Sequence, residues 1–282
     1  MHHSPLISVQ DAAALIDQPG TVFIDASWHM PAEKRDPHAE YLAGHIPGAV
    51  FFDIDAIADQ TSGLPHTLAS EEAFGAAVSA LGVNQANTII VYDSAGLFSA
   101  ARVWWNFRVA GASDVRVLNG GLPAWRALGL PISSGTEAKE PGQFTAQYNQ
   151  DLVRSFEQML KTVQNGDAQV VDARGGARFR GEVVEPRAGL KSGHIVGSRS
   201  VPFTDLLSDG KLGPAAELKA IFENTGVNLT RPIVTSCGSG VTAAVLALAL
   251  AVIGRDDVSI YDGSWSEWGG RMESSGLIAT GE

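Results

Sequence analysis

A single cysteine, Cys237, stands in 282 residues. One thiol cannot close an internal disulfide, so the fold is not stapled and must rest on a packed core. Positive charge is also scarce: 20 Lys and Arg face 31 Asp and Glu, a net charge of −11. That balance argues against a broad basic face for nucleic acid or for an anionic membrane surface. A small anionic substrate stays open, because a few arginines reverse the field within one cleft. No apolar run is long enough to cross a bilayer, and the most apolar, residues 243–253, suits a buried helix. Residues 1–10 lack a basic region followed by an apolar stretch, so no secretory leader is expected. A cytoplasmic protein is predicted. His2 and His3 have no third ligand near them, so no metal site is expected.

What is present is a core-forming composition, 45% apolar and 18% charged, and an internal repeat. An apolar run ends in aspartate at Thr21-Val-Phe-Ile-Asp25 and again at Gln169-Val-Val-Asp172. Gly-His-Ile follows in each half, at Gly44-His45-Ile46 and Gly193-His194-Ile195. A strand-like run then enters a glycine-containing loop, at Thr88 to Gly96 and at Pro232 to Gly240. Each half closes on a strand, a turn and a tryptophan, Val117 to Trp125 and Ile260 to Trp268. The offset between partners stays between 143 and 149 residues, and the order is kept. A duplicated domain is the economical reading.

Within each half, short β-branched runs alternate with helix-like segments such as 70–81 and 215–225. This predicts an α/β fold, each copy a mostly parallel sheet with helices on both faces. The expected organisation is a first domain over 1–132, a linker over 133–150, where Ser, Gly, Glu and Pro concentrate, and a second domain over 151–282. Trp104, Trp105, Trp125, Trp265 and Trp268 are read as core.

The chemistry concentrates at Cys237. The run 232–237 is a strand, Gly238-Ser-Gly240 is a turn signal, and Thr242 opens a strong helix former. The thiol therefore falls at the carboxyl end of a sheet strand, where open α/β sheets bind ligands. Two glycines let backbone N–H groups turn inward, and the helix adds its positive end. Such a cradle holds an anion and favours a thiolate. Ser239 and Thr242 can add hydroxyl donors. A buried structural cysteine is the alternative, but it has no need of these neighbours.

Cys237-Gly-Ser-Gly-Val-Thr-Ala243 resembles the active-site loop of two-domain rhodanese-type sulfurtransferases, in the 3-mercaptopyruvate branch. Asp25-Ala-Ser-Trp28, His45-Ile-Pro-Gly-Ala49, Arg102-Val-Trp-Trp105, Arg178-Phe-Arg-Gly181, Glu185-Pro-Arg187 and Tyr261-Asp-Gly-Ser-Trp265 extend the resemblance over nearly the whole chain. It implies two tandem rhodanese-like domains with an inactive first copy, and Asp93 indeed stands 144 residues before Cys237. It implies a persulfide on Cys237, formed from a small sulfur donor and passed to a thiol, cyanide or a dithiol protein such as a thioredoxin-like carrier. No cofactor is implied. Gly238, Gly240, Val241 and Thr242 would cradle substrate, and Arg178 and Arg187 would bind its carboxylate, with Arg180 and Arg199 as alternatives. Ser239, His45 and Asp36 are implied in proton transfer. His194 repeats His45, however, so a fold-keeping histidine is an equal reading. A monomer is expected from the complete internal duplication. Thiosulfate is the rival donor. A phosphatase of related fold is disfavoured, because Ala243 stands where an arginine would hold phosphate. A non-catalytic sulfur carrier is the remaining alternative.

Overall fold

The computed structural model describes residues 4–282, so His2 and His3 lie outside the described residues. The chain divides into two compact units. The first comprises residues 4–59, 68–149 and 209–212, and the second 60–67, 150–208 and 213–282.

The first unit is built on a parallel sheet with spatial order Leu6–Ile7, Asp114–Leu118, Thr88–Tyr92, Thr21–Asp25 and Val50–Phe51. The second repeats that order with Val153–Arg154, Ser259–Tyr261, Ile233–Ser236, Gln169–Asp172 and Arg199–Ser200, again all parallel. Shared topology in sequence-equivalent strands is what a duplication predicts. The two cores correspond as well. Phe23, Ile90, Leu118 and Trp125 pack together in the first unit, and Val170, Val234, Tyr261 and Trp268 in the second. All five tryptophans read as core are buried.

Local signals account for the helices. Helix Glu71–Ala80 starts where the Ser70 hydroxyl accepts the Ala73 N–H, and Glu71 and Glu72 lie at its positive end. It buries Phe74 and Val78. Helix Phe156–Asn165 opens on a reciprocal box between Ser155 and Gln158 and stops at Gly166, which takes the left-handed conformation. The apolar stretch is helix Ala243–Val252, buried through Ala251. No helix among the described residues is long and apolar enough to cross a membrane.

The expected linker is corrected. Residues 133–149 strap the first unit: Ser133 and His45 exchange backbone hydrogen bonds at 2.9 Å, and the Gly142 N–H donates to the Ser79 carbonyl at 2.7 Å. The Gln147 and Asn149 N–H groups donate to Ala110 and Val109, and Phe144 is buried against Phe74 and Phe107. The polar composition reads as a connector because its partners, backbone carbonyls far away in sequence, leave no local pattern. The boundary also differs near residue 60: segment 60–67, numbered within the first copy, packs as part of the second unit.

Candidate active site

Cys237 follows the central strand Ile233–Ser236 directly and is 2% exposed. Its loop is pinned to the turn after the neighbouring strand. The Cys237 N–H donates to Ser264 Oγ at 3.2 Å, and the Ser264 hydroxyl donates to the Tyr261 carbonyl at 2.8 Å. The Cys237 carbonyl accepts the Trp265 N–H at 2.9 Å, and the Gly238 carbonyl accepts both the N–H (2.8 Å) and the hydroxyl (2.7 Å) of Ser266. Gly240 has φ +81°, a left-handed conformation that a side chain would strain. Thr242 is the N-terminal cap of helix Ala243–Val252 but makes no capping hydrogen bond, and Val241 is buried. The backbone N–H groups of residues 238–243 find no acceptor among the described residues.

The matching loop of the first unit explains what such a cradle is for. Asp93 Oδ1 accepts the Ala95 N–H at 3.0 Å, and Oδ2 accepts those of Phe98 (2.7 Å) and Ala100 (2.9 Å). The Asp93 carbonyl accepts the Leu122 N–H at 3.0 Å, the bond that Cys237 makes with Trp265. Burial pushes the Asp93 carboxyl above the ordinary carboxylate range, partly offset by these N–H donors. The first copy's aspartate therefore does more than stand in the position of Cys237. It fills the anion place with its own carboxylate.

Charge around the second loop is organised by a buried network. Arg174 Nε and Nη2 grip the Asp172 carboxylate, Nη2 at 2.7 Å, and Nη1 donates to Glu185 Oε1 at 3.0 Å. Its guanidinium lies 4.2 Å over the Trp265 ring. Burial disfavours the Arg174 cation, yet its pairing with Asp172 and the nearby Glu185 carboxylate hold its pKa above the ordinary value. Glu185 also takes Arg178, accepting from Nε at 3.2 Å and from Nη2 at 2.5 Å. Arg178 is the one member open to solvent, its side chain 26% exposed, and Nη2 lies 3.2 Å from where a Cβ on Gly238 would stand. Glycine at 238 thus gives the guanidinium access to the thiol loop. Arg187 is half-buried, two residues beyond Glu185. Arg180 is turned to Glu182, and Arg199 lies against Gly226.

The proton-transfer expectation needs correction. His45 is fully buried in the first unit, with Nδ1 2.8 Å from the Tyr41 carbonyl and Nε2 3.4 Å from Glu137. His194 repeats the contact, Nδ1 to the Phe179 carbonyl at 2.8 Å. A histidine that makes the same backbone bond in both copies pins the turn. Asp36 is exposed and caps helix Pro37–Ala43 through the Ala39 N–H. The histidine beside the loop is His66, whose Nδ1 lies 3.0 Å from Ser239 Oγ, the donor depending on the tautomer. Both residues are buried, and His66 has φ +63° at the end of Gly63-Leu-Pro-His66. Sequence reasoning missed His66, although one signal was available: it has no counterpart in the second copy, so the repeat gives it no structural duty.

Comparison with known proteins places this architecture. The rhodanese-like domain model matches residues 8–128 and 155–271. The 3-mercaptopyruvate sulfurtransferase of Escherichia coli K12 is 48% identical over 259 residues, covering 92% of both chains. The rat thiosulfate sulfurtransferase is 42% identical and covers 94% of this chain and 90% of its own. Among solved structures, E. coli SseA, a 3-mercaptopyruvate sulfotransferase, superposes with a TM-score of 0.86 at 45% identity, covering 94% of this chain and all of its own. Tum1 of Saccharomyces cerevisiae superposes with a TM-score of 0.91 at 30% identity, covering 99% of each. With two domain matches spanning most of its length and the same sheet built twice, this chain belongs to the rhodanese-like family.

Proposed function

We propose that this protein is a 3-mercaptopyruvate sulfurtransferase that carries sulfur as a persulfide on Cys237. The contrast between the two loops is the observation that carries the reading. The first is closed by the Asp93 carboxylate, and the second presents a cysteine to N–H groups without acceptors. The relatives named for mercaptopyruvate support the donor.

In this mechanism the donor's carboxylate rests on Arg178 and Arg187. The Cys237 thiolate attacks the donor sulfur, an S–S bond forms, and the C–S bond breaks with its electron pair moving into the pyruvate enolate. The Ser239 hydroxyl, bonded to His66, delivers the proton that turns enolate into pyruvate. The loop N–H groups hold the persulfide until a thiol, cyanide or a dithiol protein such as a thioredoxin-like carrier takes the outer sulfur. The chain's own groups supply each of these roles. The working form in this reading is a cytoplasmic monomer.

Incubation with mercaptopyruvate should add the mass of one sulfur atom to Cys237, with ping-pong kinetics in turnover. Pyruvate release without that adduct would sink the mechanism. A second reading, with thiosulfate as donor, is favoured by the likeness to the rat thiosulfate sulfurtransferase. The ratio of kcat/KM for the two donors decides, and mercaptopyruvate should exceed thiosulfate.

The two histidines separate in kcat. His66→Ala should lower kcat by about 10²-fold, the lower end of general acid–base contributions, and, by leaving the buried Ser239 hydroxyl without this partner, cost about 1–3 kcal/mol of stability. His45→Ala should cost about 1–3 kcal/mol of stability, through an unsatisfied buried carbonyl, and spare kcat of the folded enzyme. Denaturant melts beside initial rates give both quantities.

A further inference from the structure

The first unit carries an open cleft of about 450 Å³ with Asp25, Ser27, Ser94, Leu122 and Arg126 among its walls. That volume suits a small metabolite. The repeat tells what its inner end is shaped for. Asp25 and Ser27 stand 147 residues before Asp172 and Arg174, and Leu122 stands 143 before Trp265. In the second unit the Arg174 guanidinium bonds the Asp172 carboxylate and the Gly193 carbonyl (2.8 Å) and lies on the Trp265 ring. In the first unit serine and leucine replace the arginine and the tryptophan, and the cavity lies among these smaller side chains.

The polar groups left around it are unbalanced in a way that selects a ligand. Asp25 is 1% exposed and accepts the Ser27 N–H at 3.0 Å, but no arginine, lysine or histidine pairs with it among the described residues. Burial holds its carboxyl above the ordinary carboxylate range, and Asp93 pushes the same way. Ser94 Oγ is buried without a hydrogen-bond partner. Arg126 is exposed, spends one nitrogen on the Gly44 carbonyl at 3.0 Å, and has no carboxylate partner among the described residues. Arg35 and Glu40 close on each other at 2.6 and 2.7 Å and cancel. The cavity thus has a carboxyl group at its inner end and a cationic outer residue.

We propose that this cavity is a second ligand site, taking a free amino acid of the arginine type. Its guanidinium occupies the place that Arg174 holds in the second unit, on Asp25 and Ser94, and its carboxylate meets Arg126. The site is built from first-unit residues alone and needs no sulfur chemistry.

Titration calorimetry on the full chain with L-arginine, agmatine and L-citrulline tests it without turnover. Arginine should bind saturably. Citrulline, with an uncharged head of the same shape, should bind at least about tenfold more weakly, the worth of one charge-assisted hydrogen bond. Arg126→Ala should weaken arginine but leave agmatine, which has no carboxylate, unchanged. Ser27→Arg with Leu122→Trp rebuilds the second unit's filling and should abolish binding while kcat for sulfur transfer stays. Unsaturable heats, citrulline equal to arginine, or binding that survives the filled variant would overturn the proposal. Should the filled variant fail to fold, Asp25→Asn carries the same expectation, and undiminished arginine affinity there overturns it too.

Discussion

Cys237→Ser should abolish sulfur transfer, a loss on the order of 10⁴-fold or more, as expected when a covalent nucleophile is removed. A hydroxyl is close in shape to the thiol but is not thiophilic, so no persulfide forms. Folding should be untouched, because the hydrogen bonds at residue 237 run through its backbone: N–H to Ser264 and carbonyl from Trp265. The measurement is intact mass after donor treatment together with the pyruvate rate. An adduct on the serine variant, or substantial turnover without one, would mean that sulfur is carried elsewhere. With a single cysteine in the chain, no second thiol complicates the result.

The second large effect should come from Glu185, which touches no thiol. Its carboxylate is buried between Arg174 and Arg178. Glu185→Ala leaves the buried Arg174 with one carboxylate instead of two and should cost about 3–5 kcal/mol of stability, the usual penalty for breaking a buried ion pair from one side. It also frees Arg178 from the fork that aims it at Gly238. The donor's KM should then rise, lowering kcat/KM roughly 10- to 100-fold, the worth of charge-assisted hydrogen bonds to a carboxylate. Arg178→Ala separates the two consequences. That side chain is 26% exposed, so its loss should raise KM similarly at a much smaller cost in stability. Equal stability losses for the two variants, or an unchanged KM in both, would contradict the assignment of Arg178 to the donor.

Local sequence was a sufficient guide where local interactions decide the structure. The strands at 21–25 and 169–172 and the helix opening at Ser70 follow from β-branched runs and capping side chains, and they stand where the sequence puts them. The repeat reached further than any single element, because it predicted two copies of one sheet order. It also pointed to Asp93 as the occupant of the first loop. Only the structure revealed that its carboxylate takes up the N–H groups of that loop. Expectations failed where partners are distant. His45 and Asp36 resemble site residues in their sequence surroundings but serve a turn and a helix cap.

The amino-acid sequence by itself determined the duplicated α/β fold, the one thiol and its place at a strand-to-helix loop. Hydrophobic period, glycine placement and internal repetition are all written in neighbouring residues. The tertiary structure alone decided that His66 meets Ser239 across 173 residues, and that Glu185 couples Arg174 to Arg178. Those pairings satisfy buried polar groups, and burial is a property of the folded chain that no stretch of sequence carries alone.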